Sequence, residues 1–403
     1  MNTTNSIYLI PYIILIHMKF TCSTQEFLQA LQLVGRAISG QQALPILGNI
    51  LFKAEGNVCT VSATDLELSI VTSFGATVEI PGTITIPAKA ILNFAQYNSD
   101  PEVTLETKEG TQLHCSSAHS KTMLSGESAA DYPSIVPVDG GTGFSLDASS
   151  LLDALHYVTF SSARSSLRPV LSGVSLRTED GKIILVSTDS YRLSEYAITT
   201  KHTEEFSCIV PVKVLEELRT ILSSKKLPKR SPTEEGAAQG ERAEAIPVQI
   251  TLSQQQIELR IENTLLLSRL IEGKFPDYRQ IIPKEHSTKA LISTRELVTS
   301  VRRMHYFAKE VNNNLTFAFT PGNLHMTTPQ TQAGRDESDI PVELEGSEGK
   351  IALSSSYLLD FLGHMEEDIV DVRISDSMHP AVFRIPGNDR FLHLIMPLRM
   401  QES

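Results

Sequence analysis

His114, Cys115 and His119 fall within six residues of one another, and imidazole and thiolate are the groups that hold zinc. They lie in a strand-like stretch with no fourth ligand, so a metal site does not follow. Asp65 and Asp189 recur in the similar tripeptides ATD and STD. A carboxylate pair is what glycoside hydrolysis needs, but recurrence in two similar segments points to a shared structural turn. Ser354, Ser355 and Ser356 lack the G-x-S-x-G elbow that would expose a nucleophile. The chain has no G-x-x-x-x-G-K-[ST], no G-x-G-x-x-G and no H-E-x-x-H. No convergent set of acids, bases and nucleophiles emerges. The expectation is a chain with no catalytic residue, no metal and no cofactor, and so not an enzyme.

The basic residues are more informative. Arg36, Lys89, Lys213, Arg302 and Arg303 lie on or beside helix-period stretches, with Arg164 and Arg168 just beyond another. The chain carries Lys+Arg 35 against Asp+Glu 47, for a net charge of −12. Basic helix faces in an acidic chain mean that charge is segregated. Such a surface suits phosphates while the rest stays acidic.

The elements that carry these residues come in repeats. LPILGNILF and RPVLSGVSL align Pro45 with Pro169, 124 residues apart. The same offset joins Asp65 to Asp189, Pro87 to Pro211 and Lys89 to Lys213. Tyr132 and Tyr278 match at an offset of 146, longer by 22. The segment Lys225 to Ile246 is itself 22 residues, carries two prolines and two glycines, and reads as a solvated insertion. A weaker third copy includes KIALSSSYLLDFL from Lys350. Three units are expected at 18–138, 142–284 and 287–403.

Within each unit an apolar helix stripe opens the pattern: Phe27, Leu31, Val34 and Ile38; Leu151, Leu155 and Val158; Leu297, Val301, Met304 and Ala308. β-branched runs such as TVSATDLELSIVTSF follow, and a second helix is expected after Pro87, Pro211 and Ser354. The fold class is therefore α+β, with two helices packed on antiparallel sheet in every unit.

The 403 residues contain 41% apolar and 20% charged side chains, enough for ordinary cores. The four cysteines are widely spaced without C-x-x-C, which suits reduced thiols in the cytoplasm. Ile7 to Ile16 is an apolar run of ten, too short to span a bilayer and without the flanks of a signal peptide. Residues 1–17 are expected to be an N-terminal extension outside the fold, and no membrane partner is expected.

MKF (from Met18), LPILGN (Leu44 to Asn49), ATDLE (from Ala63), STDSYRL (Ser187 to Leu193), FPDYR (Phe275 to Arg279) and LIMPLR (Leu394 to Arg399) occur in order along the chain. In these motifs the chain from Met18 to Met400 resembles the bacterial DNA polymerase III beta subunit family, the sliding clamps. The resemblance implies three DNA-clamp domains per chain and a head-to-tail homodimer closed into a ring around double-stranded DNA. It implies a processivity factor bound without regard to sequence. That factor would tether the polymerase III alpha subunit, the clamp loader, and other polymerases and repair proteins through a short clamp-binding peptide. The alternatives are a non-catalytic repeat scaffold and a clamp variant not used in replication.

Carried over motif by motif, the partner-peptide cleft takes Leu171, then Thr188, Tyr191, Arg192 and Leu193. Pro276, Ile281 and Ser355 join it, with Leu394, Met396, Pro397, Leu398 and Arg399 from the final motif. The DNA-facing set is Arg36, Lys89, Arg164, Arg168, Lys213, Arg302 and Arg303. The dimer contact sets Tyr306 and Phe307 against the strand with Leu124. Three departures stand out: Gln41-Gln42 where a basic residue often faces DNA, Ser190-Tyr191 where Gly-His occurs in some relatives, and the Lys225–Ile246 insertion.

Overall fold

The computed structural model describes residues 17–38, 40, 44–108, 110–164, 168–202, 204–225, 227 and 246–400. The N-terminal run up to Ile16, Gln41-Gln42 and nearly all of the 225–246 insertion lie outside the described residues. The described chain repeats one order of elements three times: one strand, a helix, four strands, a second helix and three strands.

The first copy runs β1 (Lys19–Ser23), α1 (Thr24–Val34), β2 (Asn49–Glu55), β3 (Val58–Thr64), β4 (Leu68–Ile80), β5 (Gly82–Pro87), α2 (Ala88–Gln96), β6 (Glu102–Lys108), β7 (Gln112–Ser116) and β8 (Lys121–Ser125). The second has β9 (Thr142–Asp147), α3 (Ala148–Val158), β10 (Gly173–Glu179), β11 (Lys182–Thr188), β12 (Arg192–Thr199), β13 (Ser207–Pro211), α4 (Val212–Ser223), β14 (Pro247–Leu252), β15 (Gln256–Ile261) and β16 (Thr264–Arg269). The third comprises β17 (Thr288–Ser293), α5 (Thr294–Ala308), β18 (Asn314–Thr320), β19 (Asn323–Thr327), β20 (Glu337–Gly346), β21 (Gly349–Ser354), α6 (Ser355–Leu362), β22 (Ile369–Ile374), β23 (Ala381–Ile385) and β24 (Asn388–Ile395). Residues 1–137 with 258–267 form one compact unit, and 138–257 with 268–403 form another.

In the first unit, β4 buries Leu68, Ile70, Thr72, Phe74 and Ala76 at alternate positions, so one strand face meets the core. α1 lays Phe27, Ala30, Leu31 and Val34 on that face. The Phe27 ring meets Phe74 edge-on at 6.0 Å and Phe52 at 6.3 Å. The helix stops at Val34, and Ile38 is extended at φ −85°, ψ 111°. The stripe of four apolar residues therefore overshoots the α-helix by one turn.

In the second unit a twelve-stranded sheet runs from β13 through β10, β11, β12, β24, β23, β22, β17, β20, β19 and β18 to β21. α3 packs on β12, and the helices pair as α3 with α4 and α5 with α6. The α5 stripe Leu297, Val301, Met304 and Ala308 is buried. Asp147, Ser293 and Ser354 cap α3, α5 and α6 by accepting from the amides of Ser150, Glu296 and Tyr357, each cap being worth about 1 kcal/mol. Pro87 and Pro211 occupy the same place before α2 and α4, where a missing N–H costs nothing.

The recurring aspartates are turns. Asp65 Oδ1 accepts from the amides of Glu67 (3.1 Å) and Leu68 (2.8 Å). Asp189 Oδ1 accepts from those of Tyr191 (2.9 Å) and Arg192 (3.0 Å). The residue after each aspartate is left-handed, Leu66 at φ 77° and Ser190 at φ 82°. With both carboxylates bonded to local amides, neither resembles an acid–base pair.

Candidate functional site

β12 and β24 pair antiparallel with Leu193 opposite Leu394. Both side chains are buried in one apolar cluster with Ile184, Val186, Tyr278, Val382 and Leu392. Beside that cluster opens a cleft of about 370 Å³. Val170, Leu171, Leu193, Pro276, Ile281, Leu394 and Met396 give it apolar walls, and Arg168, Thr188, Ser190, Arg192, Asp277 and Tyr278 give it polar ones. Apolar walls with polar groups beside them suit the side chains of a docked peptide.

The cleft is held from below and beside. Arg177 Nη2 donates to Tyr278 Oη at 2.6 Å, and that hydroxyl in turn donates to Glu195. Burial, and then the Glu195 carboxylate, push the Tyr278 phenol well above its usual range. Thr188 Oγ1 donates to the Arg192 carbonyl (2.6 Å) and accepts the Ser190 amide (3.1 Å), which ties the left-handed turn at the rim. The Met396 amide donates to the Tyr191 carbonyl at 2.8 Å and carries the chain past the end of β24.

Of the residues expected in the cleft, Leu171, Thr188, Arg192, Leu193, Pro276, Ile281, Leu394 and Met396 come together in its walls. Tyr191 stands outside them, 61% exposed, its ring 6.3 Å from that of Tyr357 and nearly parallel to it. Pro397, Leu398 and Arg399 leave the cleft: the Leu398 amide donates to the Ala352 carbonyl, and Asn314 Nδ2 donates to the Arg399 carbonyl. Ser355 corrects its expectation. It is not in the walls of the cleft: it is fully buried at the start of α6, with its hydroxyl 2.8 Å from His305 Nδ1 on α5, so it joins two helices. Arg168, expected just beyond the helix among the DNA-facing cations, stands on the cleft rim, where Nη1 donates to Ser190 Oγ at 3.2 Å. Val170, Ser190, Asp277 and Tyr278 were missed by sequence reasoning. Asp277 and Tyr278 belong to FPDYR, Ser190 to STDSYRL and Val170 to RPVLSGVSL, so each could have been carried over with its neighbour in the same motif.

The remaining cations sit on the helices or just after them. Arg36 lies in the turn after α1, Lys89 in the first turn of α2, and Arg164 in the turn beyond α3; all three are exposed. Lys213 on α4 is half-buried. Arg302 and Arg303 are exposed on α5. Arg303 donates to Asp336 Oδ2 (2.8 Å) and the Glu337 carbonyl (3.1 Å), which offsets its charge. Leu124 is half-buried on β8, an edge strand. Tyr306 is 57% exposed and meets Phe307 edge-on at 5.2 Å.

The candidate metal ligands are separated by their structural roles. Cys115 is fully buried, and burial pushes its thiol up to about 12. His119 Nδ1 lies 2.7 Å from Asp100 Oδ1. Among the described residues no three His, Cys, Asp or Glu groups could share a metal, and no helix is long and apolar enough to cross a membrane.

His393 lies buried in β24, with Nδ1 2.8 Å from Ser194 Oγ on β12. Among the described residues its Nε2 has no hydrogen-bond partner. Burial, then Arg192 and His364, hold its pKa well below 6.5. The unfolded chain therefore takes a proton that the folded chain refuses. The stability this gives is complete above pH 6.5 and is lost as the pH falls. Between pH 6.5 and 5.5 this one group is expected to remove about 1 kcal/mol of stability. Chemical denaturation of the protein and of His393→Gln at the two pH values checks this; the variant is expected to show a flatter dependence.

The comparisons with known proteins accord with this architecture. The DNA polymerase III beta subunit family matches in three parts: its N-terminal domain at 18–136, its central domain at 145–229 and its C-terminal domain at 279–399. The beta sliding clamp of Synechocystis is 26% identical over 95% of this chain and all of that protein. The sliding clamp of Bacillus subtilis has the same fold, with a TM-score of 0.86 at 24% identity over 96% of this chain and all of that one. The Pseudomonas aeruginosa clamp solved bound to griselimycin gives a TM-score of 0.86 at 26% identity, covering 95% of this chain and all of that one. With each of the family's three domains matched in order on a threefold repeat of one α+β unit, the chain belongs to the DNA polymerase III beta subunit family, the bacterial beta sliding clamps.

Proposed function

We propose that this chain is the cytoplasmic processivity factor of a replicative DNA polymerase. It encircles duplex DNA as a head-to-tail homodimer and catalyses nothing itself. Its domains span 18–138, 142–284 and 287–403. The observation that carries the reading is the apolar cleft at the β12–β24 junction, a site without catalytic groups whose walls can receive a partner's side chains. Through it the clamp holds the polymerase III alpha subunit, the clamp loader, and other polymerases and repair proteins by a short peptide of each. The exposed cations Arg36, Lys89, Arg164 and Arg302 face phosphates, with Lys213 and Arg303 beside them. Contacts to phosphate alone carry no sequence information, so a closed dimer can move along any duplex. Leu124 of one protomer meets Tyr306 and Phe307 of the next.

Primer extension on a singly primed circle tests this. With a clamp loader and the polymerase, adding the chain is expected to turn short products into full-length circles at a polymerase concentration that alone gives only short ones. Products of unchanged length with a competent loader would overturn the reading.

A further inference from the structure

Arg192 is 5% exposed although it lines the cleft. A guanidinium has five donors in a flat fork. Here Nε donates to Asp189 Oδ2 at 3.2 Å and Nη1 to Asp360 Oδ2 at 2.8 Å. The fork lies 4.8 Å from the Tyr357 ring centre and 5.7 Å from that of Phe160. Nε and Nη1 are thus engaged, while Nη2 has no hydrogen-bond partner among the described residues and can bond a ligand.

The two carboxylates differ in kind. Asp189 belongs to the same turn as Arg192, and its Oδ1 already holds two amides of that turn. Asp360 comes from α6 of the third repeat, 168 residues away. It is half-buried in the last turn of that helix, where a negative charge opposes the helix dipole. A residue that costs its own helix stability calls for a compensating contact, and the bond to Arg192 is that contact.

We propose that Asp360 is a positioning residue for partner capture: it sets the Arg192 fork so that Nη2 meets a carbonyl or carboxylate oxygen of the docked peptide. This rests on the cleft being the peptide site. Binding would then depend on the third repeat through one carboxylate, in addition to the apolar wall.

The test is fluorescence polarisation with a labelled peptide carrying the clamp-binding motif of the polymerase III alpha subunit. Asp360→Ala is expected to weaken binding about tenfold, and Asp360→Asn, which keeps an acceptor, to restore most of it. In an Arg192→Ala background Asp360→Ala is expected to cost nothing further, a non-additivity that a general structural defect would not produce. An equal loss in both backgrounds, or no loss in either, overturns the positioning role while peptide binding by the unaltered chain stands. Absence of binding by the unaltered chain overturns the cleft reading and the positioning role together.

Discussion

Removing Met396 to Arg399 is expected to abolish stimulation of the polymerase while the dimer persists. Met396 is part of the cleft wall, and its amide holds the Tyr191 carbonyl at the rim. Leu398 and Arg399 tie the chain end to Ala352 and Asn314. Truncation removes a wall and the bonds that anchor it. Buried apolar anchors at an interface commonly contribute ~2 kcal/mol or more each, so peptide affinity is expected to fall about a hundredfold. The proposed dimer residues Leu124, Tyr306 and Phe307 do not line the cleft, so analytical ultracentrifugation is expected to show an unchanged dimer. Met396→Asp, which leaves the chain end in place, is expected to act in the same direction. Full stimulation by the truncated chain would contradict the cleft assignment.

Reversing charge on α5 gives the second large effect. Arg302 is exposed and, among the described residues, has no carboxylate within ion-pair distance. Its charge is free for phosphate. Arg303 is already bonded to Asp336, so reversal there also sets two carboxylates together. Arg302→Glu with Arg303→Glu is expected to weaken retention on DNA steeply. The dependence of log affinity on log salt should become shallower by about 0.9 for each phosphate that the variant no longer neutralises. Arg302→Glu alone separates weakened DNA binding from the local repulsion. Thermal melting is expected to shift little for that single variant, because the site is on the surface. Unchanged retention at physiological salt would remove α5 from the DNA-facing set.

The threefold repeat is legible because its strongest signals are turns and helix starts. Asp65 and Asp189 satisfy the amides of a left-handed turn, and Pro87 and Pro211 stand before helices. Such residues mark the backbone whatever surrounds them. The α5 stripe is legible for the same reason, since helical period alone decides which residues are buried. The cleft is different. Its walls meet because β12 pairs with β24, and Leu193 and Leu394 are 201 residues apart in sequence. Local pattern marks both as buried but cannot say that they face one another, so the resemblance to a family had to supply that link. Where a side chain's direction decides its role, neither pattern nor motif sufficed. Ser355 turns to His305, and Arg168 reaches Ser190. Arg192 reaches a carboxylate two-fifths exposed on the third repeat, in a helix with no distinguishing motif.

Retention on circular DNA tests the central claim most directly. The protein is loaded on a nicked plasmid by a clamp loader, separated from free protein by gel filtration, and the plasmid is then cut once. The account predicts that the protein stays with the circle and slides off the linear form, because a closed ring with phosphate-only contacts is held by topology. A loaded protein that remains on the linear form, or one that never stays on the circle despite a competent loader and a dimer in solution, would contradict it.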